Sequence, residues 1–146
     1  MGKVAALTVR FVLGAVFLYA SVDKILHPQA FAEIVYNYQI LPDSLINVTA
    51  LILPWLELLL GLSLISGICL PGSVLLANLL LVTFLAALLF NAVRGLDIQC
   101  GCFSTSALQS ESAMIWYLVR EVLFLVLSGY LFCYIFRGKR ASSLTL

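Results

Sequence analysis

The sequence is poor in charge. Only 10% of its 146 residues are Asp, Glu, Lys or Arg, with a formal net charge of +1 and a single histidine, against about 25% charged in an average soluble domain. That scarcity excludes an ordinary water-soluble fold and leaves no basic stripe for nucleic acid, so no nucleic-acid partner is expected. Internal repeats, low-complexity tracts and a stretch polar enough for a soluble domain are also missing. So is the apolar–polar alternation of a closed β-barrel. What is present is apolar: 63% hydrophobic residues and a mean hydropathy of +1.12, the composition of an integral membrane protein.

Crossing a hydrocarbon layer of about 30 Å takes roughly 20 helical residues. Runs of that length fall near 4–22, 47–68, 72–93 and 114–136. Hydrocarbon gives backbone groups no hydrogen-bond partner, so the spans must be helices. The expected fold is an all-α, four-transmembrane-helix bundle forming one membrane domain over 1–146. Arg10 interrupts the first run and the small-residue cleavage pattern is poor, so this run reads as a retained helix and not as a signal peptide.

Basic residues set the orientation. Lys3, Arg137, Lys139 and Arg140 share one side with the Cys69-Leu70-Pro71 turn, whereas Lys24 and Arg94 face Asp23, Glu33, Asp43, Asp97 and Glu111 on the other. The positive-inside rule therefore places both termini in the cytoplasm and both long loops outside, in the periplasm of a bacterial inner membrane or at the cell exterior. In the first outer loop Pro28 can open a helix, Phe31, Ile34, Val35 and Tyr38 recur at helical spacing, and Pro42 stops it. This stretch, residues 28–41, reads as an amphipathic interfacial helix lying on the membrane surface, in contact with lipid and placed to act as a lid. Trp116 and Tyr117 suit the interfacial aromatic belt.

The second outer loop carries the most reactive pattern, Arg94-Gly95-Leu96-Asp97-Ile98-Gln99-Cys100-Gly101-Cys102-Phe103. Two thiols one residue apart in an oxidising compartment point to thiol–disulfide exchange, with Cys100 and Cys102 as the reacting pair. A disulfide across so short a ring is strained, which makes it a readier oxidant, and Gly101 supplies the backbone freedom the ring requires. Arg94 would stabilise a thiolate and Asp97 would oppose it. Two thiolates also suit Cu(I), a metal-handling alternative for which the sequence supplies no clustered further ligands; His27 lies in the other loop and reads as a cap for the helix at Pro28.

Ionisable residues within the spans form a second group. Arg10, Glu57, Arg120 and Glu121, with Asn78 as a neutral companion, are costly in hydrocarbon and so are expected to face the bundle interior. At 1.5 Å per residue Glu57 lies about 15 Å into its span, and Arg10 and Arg120 each lie about 9 Å from an edge, so either arginine could reach Glu57. Arg120 and Glu121 point about 100° apart, so at most one of them faces Glu57 squarely. An internal ion-pair clasp explains these residues, and a small transporter or scaffold using the charged interior is the alternative. Cys69 and Cys133 fall near the cytoplasmic ends of their helices, where an inner thiol pair would resemble a transmembrane electron relay with a quinone as acceptor; packing is the plainer role.

The chain resembles the MauE branch of the DoxX-like membrane proteins over nearly its whole length. The resemblance rests on Arg10, the stretch Lys24 to Phe31, Tyr38-Gln39-Ile40-Leu41-Pro42, Pro54 with Glu57, and Arg94-Gly95 leading to Cys100-Gly101-Cys102-Phe103. Family members often continue that triplet with Phe-Gly, where this chain has Phe103-Ser104. What the resemblance implies is a small four-helix protein of methylamine utilisation that assists disulfide formation or maturation in an exported partner. In the name-giving family that partner is the small subunit of methylamine dehydrogenase; elsewhere it is a thioredoxin-like or disulfide-containing protein.

Overall fold

The computed structural model describes residues 2–95 and 112–143. Among them are five helices and no strand: α1 Gly2–Leu26, α2 Pro28–Asn37, α3 Asp43–Ser66, α4 Leu70–Val93 and α5 Ser112–Ser143. Four of these, over Lys3–Leu26, Asp43–Ser66, Leu70–Val93 and Ile115–Arg137, are long and apolar enough to cross a membrane. The chain is a multi-pass membrane protein. The end of the bundle holding α2, Arg94 and the start of α5 is called here the loop end; Gly2, the α3–α4 turn and Arg137 mark the terminal end.

Each long helix turns one stripe inward and leaves large apolar side chains such as Leu51, Leu59, Leu79 and Val126 exposed at the periphery, where lipid tails solvate them. On α3 the inward stripe is Ile46, Ala50, Pro54, Glu57, Leu60, Gly61 and Leu64, a three-and-four spacing that keeps one face inward. The shared core is built from Leu13 and Phe17 of α1, Leu60 and Leu64 of α3, Val74, Ala77 and Leu81 of α4, and Leu131 of α5.

Helices α1 and α3 approach closely because each offers a glycine at the crossing. A Cβ on Gly14 would lie 2.6 Å from Ile65 Cγ1, and one on Gly61 would lie 2.8 Å from Leu18 Cγ and 3.0 Å from the Gly14 carbonyl oxygen. Small residues at a crossing let backbones pack together where lipid supplies no hydrophobic drive for association. Helices α4 and α5 are tied by a polar contact: Asn78 Nδ2 donates to Val74 O at 2.8 Å on its own helix and to Ser128 O at 3.3 Å across the interface. Asn78 therefore joins α4 to α5, its amide donating to backbone carbonyls and not to the buried charges it was expected to accompany.

The helix ends differ from the sequence expectation in instructive ways. The α3–α4 turn runs through Gly67 and Cys69, both with positive φ (82° and 51°), and Leu70 and Pro71 already belong to α4. Proline fits there because first-turn N–H groups have no partner inside the helix. Helix α2 stops at Asn37, short of Pro42, because Gln39 adopts φ 49° and reverses the chain. His27 occupies the N-cap of α2 but its side chain makes no capping bond; Pro at the first helical position starts the helix without one.

Candidate functional site

Helix α1 does not end at Val22 but continues to Leu26, and this extension carries Lys24 inside the bundle. Leu13, Phe17, Ala20 and Lys24 follow one another at steps of four, three and four, so Lys24 continues the buried face of α1. Its Nζ lies 2.7 Å from both Glu57 oxygens, and the two side chains are 1% and 3% exposed. The partner of Glu57 is thus Lys24, and neither Arg10 nor Arg120 fills that place. A lysine near a helix end can lay its four-carbon stem along apolar surface and deliver the ammonium to a deeper carboxylate.

Two aromatic faces close over the ammonium. The Phe31 ring centroid of α2 lies 5.0 Å from Lys24 Nζ and that of Phe84 on α4 lies 5.5 Å away, within cation–π range. The pair is therefore enclosed by four elements: α1 and α3 supply its charges, α2 and α4 its rings. Helix α2 lays Phe31 over this ion pair; the Cys100 site, for which the sequence suggests a lid, lies outside the described residues.

Of the adjacent pair on α5, Glu121 is the residue that turns inward, being 2% exposed. It shares its face with Ser128 and Leu131, seven and ten positions on, while Arg120 is only half-buried and sits 5.3 Å over the Tyr117 ring. Glu121 and Glu57 line a small cavity of about 30 Å³ together with Leu13, Phe17, Leu81, Phe84 and Phe124. Glu121 feels the charges of Arg120, Lys24 and Glu57.

Above this cluster Ile34 and Tyr38 pack on Leu88, with Tyr117 and Leu118 of α5 alongside. Burial, with the Glu121 charge as a second cause, holds the Tyr38 phenol above its ordinary range. Asn91 is fully buried and donates to Ala87 O at 3.1 Å. From the residues, the sequence places Tyr38 on the α2 apolar face and Lys24 among the charges of the outer side, and it does not single out Asn91. Extending the helical period of α1 and α4 to their last turns would have found both Lys24 and Asn91.

Arg10 sits at the terminal end. Its guanidinium packs against Gly67, whose Cβ, if present, would lie 3.2 Å from Arg10 Nη1, placing a cation at the C-terminus of α3 where the helix dipole is negative. Cys69 and Cys133 are both exposed free thiols and are not joined to each other. Among the described residues no group of three His, Cys, Asp or Glu side chains could hold a metal ion.

Arg94 closes α4, and Gly95 follows with φ 69°, a left-handed conformation that costs glycine little. Arg94 Nη2 donates to Gln39 Oε1 at 3.3 Å, linking the point where the chain turns out of α2 to the point where it leaves α4. Cys100 and Cys102, with Asp97 and Gly101, lie outside the described residues; the stretch that carries them connects Gly95 to Ser112.

Residues 2–134 match the family of methylamine utilisation protein MauE. The chain belongs to the MauE family. It is 38% identical to the methylamine utilization protein MauE of Paracoccus denitrificans over 118 residues, which cover 80% of this chain and 61% of that protein. With the protein of the same name from Methylorubrum extorquens it shares 34% identity over 112 residues, or 76% of this chain and 59% of that one. This MauE-family chain therefore spans about three fifths of the length of the curated relatives it matches. No solved structure matches it.

Proposed function

We propose that this protein is the membrane component of a thiol–disulfide system that assists disulfide formation or maturation in an exported partner. The observation that carries the reading is that the stretch matched to the MauE family, residues 2–134, takes in Cys100-Gly101-Cys102. The chemistry is exchange through a mixed disulfide. In the oxidising direction a partner thiolate attacks the Cys100–Cys102 disulfide, forming one intermolecular S–S bond and releasing one thiolate of the pair. A second partner thiolate then displaces the remaining cysteine, leaving the partner oxidised by two electrons and the pair reduced. A thioredoxin-like exported protein in its disulfide form restores the pair by the same exchange, accepting the two electrons and leaving as a dithiol. Arg94, which closes α4 six residues before Cys100, favours the thiolate, and Asp97 moderates it.

This reading puts the protein in the bacterial inner membrane with both termini in the cytoplasm and the dithiol segment in the periplasm, where a disulfide persists. It is supported by the excess of basic residues at the terminal end. The names of the relatives make a methylamine-utilisation protein the first client to test. Cys100→Ser and Cys102→Ser are each expected to abolish disulfide formation in the client, and one of the single variants traps it as a mixed disulfide visible on a non-reducing gel. Full client oxidation in the double Ser variant overturns the reading.

A further inference from the structure

The thiol chemistry makes no use of the buried carboxylate of Glu121. Lys24 spends its charge on both oxygens of Glu57, so that pair is balanced. Glu121 adds a second carboxylate to the same cluster, 2% exposed, and its Oε1 has no hydrogen-bond partner among the described residues. An ionised carboxylate with an unsatisfied oxygen in an apolar interior is costly, and taking up a proton removes the charge.

The side chain lines the cavity of about 30 Å³ shared with Glu57, larger than the roughly 10–15 Å³ a water molecule needs. The titratable and charged groups acting on it are Lys24 from α1, Glu57 from α3, Arg120 on its own helix and Tyr38 beyond α2. From α4 the cavity receives only Leu81 and Phe84. A protonatable oxygen, a second carboxylate across a water-sized space and an apolar wall are the parts of a proton site.

We propose that the cavity between Glu57 and Glu121 is a buried proton-exchange site, with Glu121 as the group that takes up and releases the proton and the Lys24–Glu57 pair as its fixed counter-charge.

Difference infrared spectroscopy of the purified full chain in lipid nanodiscs tests it. Acidification of the wild type is expected to produce the C=O band of a buried carboxylic acid, which disappears again as pH is raised. Carboxyl-¹³C glutamate shifts the band and D₂O shifts it further, showing exchange with solvent. In Glu121→Gln the band is lost; in Glu121→Asp it remains with a changed position and midpoint. Absence of any titrating acid band in the wild type overturns the proposal. So does a band that is unchanged in either variant, and the Asp variant decides should the Gln variant fail to fold.

Discussion

Lys24 on α1 and Glu57 on α3 meet as a bidentate pair, Nζ 2.7 Å from each carboxylate oxygen, with both groups almost fully withdrawn from the surroundings. Two opposite charges in the interior neutralise one another only as long as both are present. The pair therefore behaves as a clasp that fixes α1 against α3, and its energetics are asymmetric.

Breaking the clasp from one side should cost far more than removing it. Lys24→Met or Glu57→Leu each leaves a buried group without its partner, and each is expected to lower stability by about 3–5 kcal/mol, while the double substitution Lys24→Met/Glu57→Leu recovers most of that loss. Unfolding of the four proteins in one detergent, analysed as a double-mutant cycle, checks this. Additive losses would show that the two residues are not coupled.

The α1–α3 crossing makes a steric prediction. Gly61→Ala places a methyl group 2.8 Å from Leu18 Cγ and 3.0 Å from the Gly14 carbonyl oxygen, and overpacking of this kind costs about 1–3 kcal/mol. At Gly72 nothing lies within 4 Å of the added carbon, so Gly72→Ala should be neutral or gain up to about 1 kcal/mol of helix propensity. Melting temperatures of the two variants should move apart.

Tyr38 gives a pH dependence with a defined sign. Burial raises the folded-state value above the ordinary 10.0, with the Glu121 charge adding to it, so above that pH the folded state keeps a proton that the unfolded chain has released. Stability is then fully present below about pH 10 and falls as pH rises beyond it. Tyr38→Phe should flatten that alkaline decline, read as unfolding free energy against pH for the wild type and the variant. An alkaline decline that is the same in both proteins would contradict the burial of Tyr38.

Orientation is open to labelling. After mild reduction of intact cells, a membrane-impermeant maleimide should modify Cys102, whereas Cys69, at the α3–α4 turn of the terminal end, should react only after lysis. The reverse pattern would invert the assignment made from the basic residues.

The thiol pair was legible as chemistry because two cysteines one residue apart need no fold to be noticed. The charged interior was only half legible. Glu57 and Glu121 stand out as acids inside apolar runs, but Lys24 sits at the border of its run beside Asp23, where composition alone reads it as a loop residue. Arg10 shows the opposite case: its place inside a span suggested a partner for Glu57, and the fold sends it to the C-terminus of α3 beside Gly67.

The sequence by itself determined the membrane class, the number of spans and their helical state, because apolar length and backbone hydrogen-bond satisfaction are properties of each segment alone. It also carried the resemblance to the MauE family. Tertiary structure decided which charges meet. Pairing across helices depends on the rotation and relative height of α1, α3 and α5, and these follow from the Gly14–Gly61 approach and the inward stripes, none of which is encoded in any one span.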